Sequence, residues 1–86
     1  MPEVSRFFGI IIAMYYNDHS PPHFHAKYGD DQASLRIDSG EILEGNLGTR
    51  TRRLVEEWRA LHQTELQEDW TRVQARQPLN KIEPLE

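Results

Sequence analysis

The spacing of apolar residues changes halfway along the chain. Up to about residue 47 the apolar positions run together or alternate, as in strands, whereas from Arg50 they recur every three or four residues, as in helices. The segment Gly45 to Thr49 separates the two halves. This order predicts an α+β fold, with an antiparallel sheet of about four strands followed by two C-terminal helices packed on one face. We expect residues 1–86 to form a single domain.

The strands are predicted from three runs. FFGIIIAMYY, from Phe7 to Tyr16, is rich in β-branched and aromatic residues, which predicts a strand in the middle of the sheet. Beyond a double proline, His23 to Tyr28 alternates between apolar and polar residues, and Gln32 to Asp38 does so again after a turn. Ser39-Gly40 then closes a second hairpin into Glu41 to Glu44.

Alternation places the side chains of these two strands on opposite faces. The apolar face, expected to join the core, carries Phe24, Ala26, Tyr28, Ala33, Leu35 and Ile37. The polar face carries His23, His25, Lys27, Arg36 and Asp38. A loop at Gly29-Asp30 pairs His23 with Arg36, and a loop at Asp30-Asp31 pairs His23 with Asp38; both registers keep the same faces. We expect the polar face to be the functional surface.

Two helices are predicted over about 50–62 and 64–76. Their apolar stripes include Trp58 and Trp70, which we expect to be core residues. Thr49 or Thr51 can cap the first helix. We place a break near Gln63, because Thr64-Glu65-Leu66-Gln67 has the form of a capping box. Pro78 ends the second helix, and the tail over 78–86 is expected to lie extended against the core.

Composition narrows the possible chemistry. The chain has no cysteine, which excludes disulfides and Cys-ligated zinc. Its net charge of −4 disfavours RNA as a partner, although a local basic cluster could still contact phosphates. The apolar run from Phe7 to Tyr16 is too short to span a bilayer, and no cleavage site follows it, so we expect a cytoplasmic protein. At 86 residues the core is small, which makes a homodimer or a partner chain plausible.

The segment NDHSPPHFH, Asn17 to His25, contains three of the four histidines. His23 and His25 leave the same strand face close enough to share one ion, and His19 is the expected third ligand, so His19, His23 and His25 form a tentative site for zinc or another divalent metal. Asp18 is expected either as a fourth ligand or as an acceptor behind the ligands. The alternative without a metal is acid–base chemistry by His23 and His25, with Arg36 as the cationic group.

A basic cluster begins the first helix, at Arg50, Arg52 and Arg53. A helix N-terminus attracts anions, so the cluster is a candidate anion site. Two pairs at i, i+4, Arg52 with Glu56 and Arg53 with Glu57, offer these side chains a purely structural role instead.

Three segments, PEVSRFFGIIIAMYYNDHSPPHFHAKYG, IDSGEILEGNL and LNKIEPL, together resemble the bacterial domain-of-unknown-function family DUF4160. The resemblance covers nearly the whole chain. It implies a small cytoplasmic bacterial protein that works with a small protein encoded by the neighbouring gene, an arrangement similar to a toxin–antitoxin pair. The family has no established activity, so it assigns no site residues.

These observations favour a binding module that meets its partner through the polar, histidine-rich face. Its expected binding residues are Asp18, His19, Lys27, Arg50, Arg52 and Arg53. The alternative is an RNA- or phosphate-directed enzyme of the toxin ribonuclease type, with or without a metal, that uses the cluster of His19, His23 and His25. The sequence leaves open whether the protein is an enzyme.

Overall fold

The computed structural model describes residues 2–86 and places five strands before two helices. The strands are β1 (Glu3–Phe7), β2 (Ile10–Ala13), β3 (His23–Tyr28), β4 (Asp31–Arg36) and β5 (Ile42–Asn46), and the helices are α1 (Thr49–Leu61) and α2 (Gln63–Gln74). Each strand pairs antiparallel with the next one along the chain. The predicted α+β fold is confirmed, with five strands in place of about four.

The first apolar run forms a hairpin. Phe8 and Gly9 connect β1 to β2, and both have positive φ, 50° and 80°. Two-residue hairpin loops favour such values because they match the twist of the flanking strands. The prediction of one strand from Phe7 to Tyr16 is therefore wrong, because a phenylalanine occupies a turn position where asparagine or aspartate is the usual signal.

The hairpin of β3 and β4 follows the alternation. His23 lies opposite Arg36 and Tyr28 lies opposite Asp31, so the loop is at Gly29-Asp30. Five of the six residues predicted for the core face are buried: Phe24, Ala26, Ala33, Leu35 and Ile37. Tyr28 is the exception, since its side chain is 42% exposed. It ends β3 at the edge of the molecule, beside the two hairpin turns.

The start of α1 differs from the prediction. The helix begins at Thr49, its N-cap is Gly48, and no side chain caps it. Neither threonine therefore serves as the cap, because Thr49 is already helical and Thr51 is a buried residue within the first turn.

A break next to Gln63 is present. His62 joins the two helices with φ −122° and ψ 26°, outside helical values, and it is the N-cap of α2. Because α2 begins at Gln63, the capping box predicted at Thr64 to Gln67 does not form. The ring of His62 instead binds Glu65, with Nδ1 2.6 Å from Oε1, and packs 5.6 Å from Trp58.

Both tryptophans belong to the core. Trp58 is fully buried, with its ring 5.4 Å from Phe7 and 6.0 Å from Phe24, and Trp70 is 7% exposed. These contacts lie on the apolar face of the sheet. On the opposite face α2 reaches His23, which packs against Trp70, and an open cleft lies beside His25. Neither helix of the described chain is long and apolar enough to cross a membrane.

The C-terminal tail lies against the core as predicted. Ile82 is 4% exposed, and its N–H donates to the carbonyl of Val4 on β1 at 2.8 Å. The indole N–H of Trp58 donates to the carbonyl of Glu83 at 2.8 Å. The tail therefore covers the β1 edge of the sheet, at the side opposite β5.

Candidate metal centre

Three side chains from the histidine-rich segment meet at the start of β3. One carboxylate oxygen of Asp18, Oδ2, lies 2.9 Å from Nε2 of His25 and 3.2 Å from Nε2 of His23. The three candidate ligand atoms lie within 4.8 Å of one another. Two imidazole nitrogens and one carboxylate oxygen are a ligand set that proteins use for zinc and other transition metals.

β3 positions the two histidines. His23 and His25 are two residues apart on the strand, so both side chains leave the same face. The ring of His23 packs 5.3 Å from Trp70, and the ring of His25 packs edge-on to Tyr15 at 4.6 Å. The side chain of His23 is 11% exposed and that of His25 is 32% exposed. The rings are therefore held by packing, while the side chain of His25 stays partly exposed.

The end of α2 positions Asp18. Nε2 of Gln74 donates to the backbone carbonyl of Asp18 at 3.3 Å. The guanidinium of Arg76 donates to Oδ1 of the neighbouring Asn17 at 3.0 Å. The loop that carries Asp18 is thus held by side chains about sixty residues away, which no local sequence pattern reveals.

A backbone hydrogen bond determines which nitrogen of His23 faces Asp18. Nδ1 of His23 lies 2.8 Å from the carbonyl oxygen of Pro21. A carbonyl oxygen only accepts, so Nδ1 carries the proton, and in the neutral ring Nε2 presents its lone pair. That lone pair then faces a carboxylate oxygen at 3.2 Å. A cation or a second proton between the two atoms removes this repulsion.

The three ligands line an open cleft of about 620 Å³. It lies on the polar face of the sheet, between the β2–β3 loop and β5. His25, Ser34 and Glu44 lie side by side on three neighbouring strands along it. The other lining residues are Tyr15, Asp18, His19, Ser20, Pro21, His23, Gln32, Ala33, Leu43 and Gly45. A ligand in this cleft would therefore meet both polar and apolar groups.

Two predicted binding residues lie outside the ligand group. His19 is exposed and lines the cleft, but it is not among the three clustered ligands. Asp18 takes the third ligand position, which was predicted for His19, because the loop turns the aspartate toward the strand. Lys27 is exposed on the same sheet face but does not line the cleft.

Arg36, predicted as a catalytic cation, is engaged elsewhere. It lies opposite His23, but its Nε and Nη2 donate to the two carboxylate oxygens of Asp38, each at 2.9 Å. These hydrogen bonds lower the pKa of Asp38 to about 2 and raise the pKa of Arg36. Arg36 does not line the cleft.

The basic cluster at the start of α1 is exposed and also lies outside the cleft; it consists of Arg50, Arg52 and Arg53. Within residues 2–86 the predicted pairs with Glu56 and Glu57 do not form. Glu56 binds the buried Arg59 instead, with Nε of Arg59 2.8 Å from Oε2, and this hydrogen bonding lowers the pKa of Glu56. Arg59 also donates to the carbonyl of Ile37, which explains why it competes successfully for the carboxylate.

The sequence did not point to several residues of the cleft. Tyr15 falls inside the apolar run, so it was interpreted only as part of a strand. Leu43 and Glu44 belong to β5, and only the pairing of β5 with β4 brings them beside Ser34. That pairing includes a register shift, so alternation alone would not have found it.

Residues 9–71 match a family model described as Domain of unknown function (DUF4160). Searches of curated proteins and of solved structures found no match.

Proposed function

Because the chain belongs to the DUF4160 family, whose description assigns no function, we propose a function from the site itself: the chain binds a divalent transition-metal ion through Asp18, His23 and His25. One observation carries the proposal, namely that a single carboxylate oxygen lies within 3.2 Å of both Nε2 atoms.

The spacing of the three atoms supports the proposal. With zinc bonds of 2.0–2.1 Å, two ligand atoms of a tetrahedral site lie about 3.3 Å apart. The two distances from Asp18, 2.9 Å and 3.2 Å, are close to that value, and all three ligand atoms lie within 4.8 Å of one another. The hydrogen bond from His23 to Pro21 is of the kind that orients metal-binding histidines and leaves the other nitrogen free for the ion.

The ligand types favour zinc and its neighbours in the transition series. Imidazole nitrogen suits zinc, nickel and copper, whereas magnesium and calcium prefer ligand sets made of oxygen. An ion with three protein ligands also keeps at least one position for a group from another molecule. In this site the cleft, which all three side chains line, would hold that group.

We propose that a protein partner supplies the group that completes the coordination of the metal ion. The partner is the product of the neighbouring gene in a bacterial, cytoplasmic, toxin–antitoxin-like pair, as the family resemblance implies. The cleft supports a recognition role because the exposed side chain of Leu43 and the polar Glu44 lie within reach of the ion site.

Calorimetry with zinc tests metal binding. The expected result is one ion per chain with a dissociation constant in the micromolar range or below. Alanine at Asp18, His23 or His25 should weaken binding at least tenfold, while His19→Ala, a matched exposed histidine on the same loop, should leave it unchanged. Undiminished binding by His25→Ala, or its loss in His19→Ala, contradicts the proposed ligand set.

Co-purification with the neighbouring gene product tests the partner. If the metal-loaded cleft is the interface, chelator treatment and His25→Ala should both weaken the complex, and Leu61→Ala, which removes an exposed side chain outside the cleft, should retain it. A complex that resists both treatments would place the interface on another surface.

The open metal position also favours a second candidate, a phosphate-directed hydrolytic enzyme, because catalytic zinc sites use three protein ligands and leave the fourth position for water or substrate. Zinc-dependent RNA cleavage by the pure protein, lost in His25→Ala and retained in His19→Ala, would favour the enzyme over the binding module. Absence of cleavage by zinc-loaded protein would remove this candidate.

A further inference from the structure

The end of the sheet far from the metal centre carries a second unusual surface, formed by two neighbouring hairpin turns. Phe8-Gly9 joins β1 to β2, and Gly29-Asp30 joins β3 to β4. Since Ile11 on β2 pairs with Lys27 on β3, the two turns lie side by side. We call the surface formed by Phe8, Tyr28, Asp30 and Asp31 the aromatic tip.

Phe8 is difficult to explain by folding alone. Its φ is 50°, a left-handed conformation that a bulky residue rarely adopts, and both central residues of the turn have positive φ. Such turns strongly favour Asn-Gly or Asp-Gly. The ring of Phe8 is 52% exposed, so burial offsets only part of the strain. A strained, solvent-exposed aromatic side chain is a feature that binding can explain.

Tyr28 extends the same aromatic surface. It is 42% exposed, and its ring lies over the neighbouring turn, where a Cβ added to Gly9 would be 3.2 Å from its Cε1 atom. The glycine therefore allows the tyrosine ring to lie directly against the β1–β2 turn. Two exposed aromatic residues therefore lie at the same end of the sheet, Phe8 in one turn and Tyr28 against that turn.

Two carboxylates border this aromatic surface. Asp31 lies opposite Tyr28 in the register, and Asp30 precedes it in the turn; both are exposed. Within residues 2–86, no basic side chain lies within 4.0 Å of either carboxylate. Their charges are therefore available to a ligand, and the chain as a whole carries a net charge of −4.

From this combination we propose that the aromatic tip binds an arginine side chain in a basic segment of a protein partner. Aromatic faces attract cations, and a guanidinium also stacks flat on them. The carboxylates of Asp30 and Asp31 accept its N–H groups, for which arginine presents a planar fork that lysine lacks. The same negative charges repel nucleic acid. This site is independent of the metal centre, at the opposite end of β3.

The variant Phe8→Asn distinguishes a binding role of Phe8 from a role in folding alone. Asparagine suits the turn, so the melting temperature should stay the same or rise by roughly 3 °C, while arginine binding falls at least fivefold. A residue kept only for folding would behave in the opposite way, with a lower melting temperature and no effect on binding. That result would overturn the proposal.

Amide chemical shifts of the full chain test arginine binding by the aromatic tip directly. The probe is the blocked peptide acetyl-Gly-Arg-Gly-Arg-Gly-amide, compared with its lysine counterpart and with its uncharged citrulline counterpart. The arginine peptide should shift the amides of residues 8–9 and 28–31 most and should bind more tightly than the lysine peptide. The citrulline peptide should cause almost no shifts. The double change of Asp30 and Asp31 to Asn should reduce binding, and Leu61→Ala, which removes an exposed leucine elsewhere, should not.

Three results would overturn the proposal. The first is that the largest shifts map to α2, which carries three acidic residues and one arginine. The second is that the citrulline peptide binds as well as the arginine peptide. The third is that a short oligouridylate shifts residues 8–9 and 28–31 more strongly than the arginine peptide does.

Discussion

A single oxygen atom, Oδ2 of Asp18, organises the metal centre by meeting two histidine nitrogens. The sequence allowed His23 and His25 to be placed together, because alternation along a strand is a strict geometric rule. It favoured His19 as the third ligand, whereas the structure groups Asp18 with the two histidines, because a loop has no period from which the direction of its side chains can be predicted. Only the hydrogen bonds that hold the loop decide which of the two side chains turns toward the strand.

At the same scale, the pair of Arg36 and Asp38 predicts a pH dependence. The pKa of Asp38 in the folded chain is about 2, below its ordinary value of 3.8. The pair therefore stabilises the fold at pH values above about 4, and this contribution disappears as the pH falls through 2. Because Asp38 is exposed and Arg36 is partly exposed, we expect a small effect on stability.

Carbon-detected titration of the Asp38 carboxyl group measures this shift. The midpoint should lie near 2, and Arg36→Gln should move it toward 3.8, since the hydrogen bonds from the guanidinium are the main cause. An unchanged midpoint in Arg36→Gln would show that the guanidinium is not responsible.

Among the elements, β3, β4 and both helices were predictable because each follows one period over many residues. The hairpin of β1 and β2 was not, because ten nearly continuous apolar residues carry no alternation and the turn contains a phenylalanine. The helix break was predicted in the right place but from a capping box that does not form. The position of a helix break can therefore be predicted correctly from a capping interaction that is absent.

The C-terminal end of α2 contacts the loop that carries Asp18. Gln77 N donates to the carbonyl of Arg72 and Arg76 N donates to that of Val73, which is the Schellman arrangement. Its left-handed position, normally a glycine, is Arg76 with φ 56°. The guanidinium of Arg76 holds Asn17 beside Asp18, a proposed metal ligand, which gives a reason for arginine at this position.

Replacing Arg76 with glycine should therefore separate stability from metal binding. Glycine removes the left-handed strain, so unfolding by urea should show a gain of about 0.5–1 kcal/mol. Zinc affinity should fall several-fold, because the loop that carries Asp18 loses a support. Arg76→Ala is the control, as it loses the same hydrogen bond but keeps the strain. Unchanged zinc affinity in both variants would mean that Arg76 has only a helix-capping role.

At the scale of the whole molecule, the C-terminal tail covers the β1 edge of the sheet, and the polar face of the sheet carries an open cleft. The helices and the tail residue Ile82 share one apolar cluster with the core face of the strands. The polar face is left for the cleft, and β3 connects the cleft at one end to the aromatic tip at the other. One short domain thus presents two separate candidate binding surfaces.

The tail should contribute strongly to stability. Ile82→Ala should lower the free energy of unfolding by about 2–4 kcal/mol, because it removes a side chain buried in the core cluster. Glu83→Ala, an adjacent exposed side chain, should change it by less than about 0.5 kcal/mol, since the carbonyl that accepts from Trp58 remains. Equal effects in urea unfolding would contradict a tail packed on the core.

The most direct test of the metal centre is a ¹⁵N spectrum of the histidine rings recorded before and after one equivalent of zinc. Zinc should move the Nε2 signals of His23 and His25 to values typical of a metal-bound nitrogen, while Nδ1 of His23 stays protonated and donates to the carbonyl of Pro21. The rings of His19 and His62 should stay unchanged. Zinc that leaves His23 and His25 unaffected, or that binds through His19 instead, would contradict it.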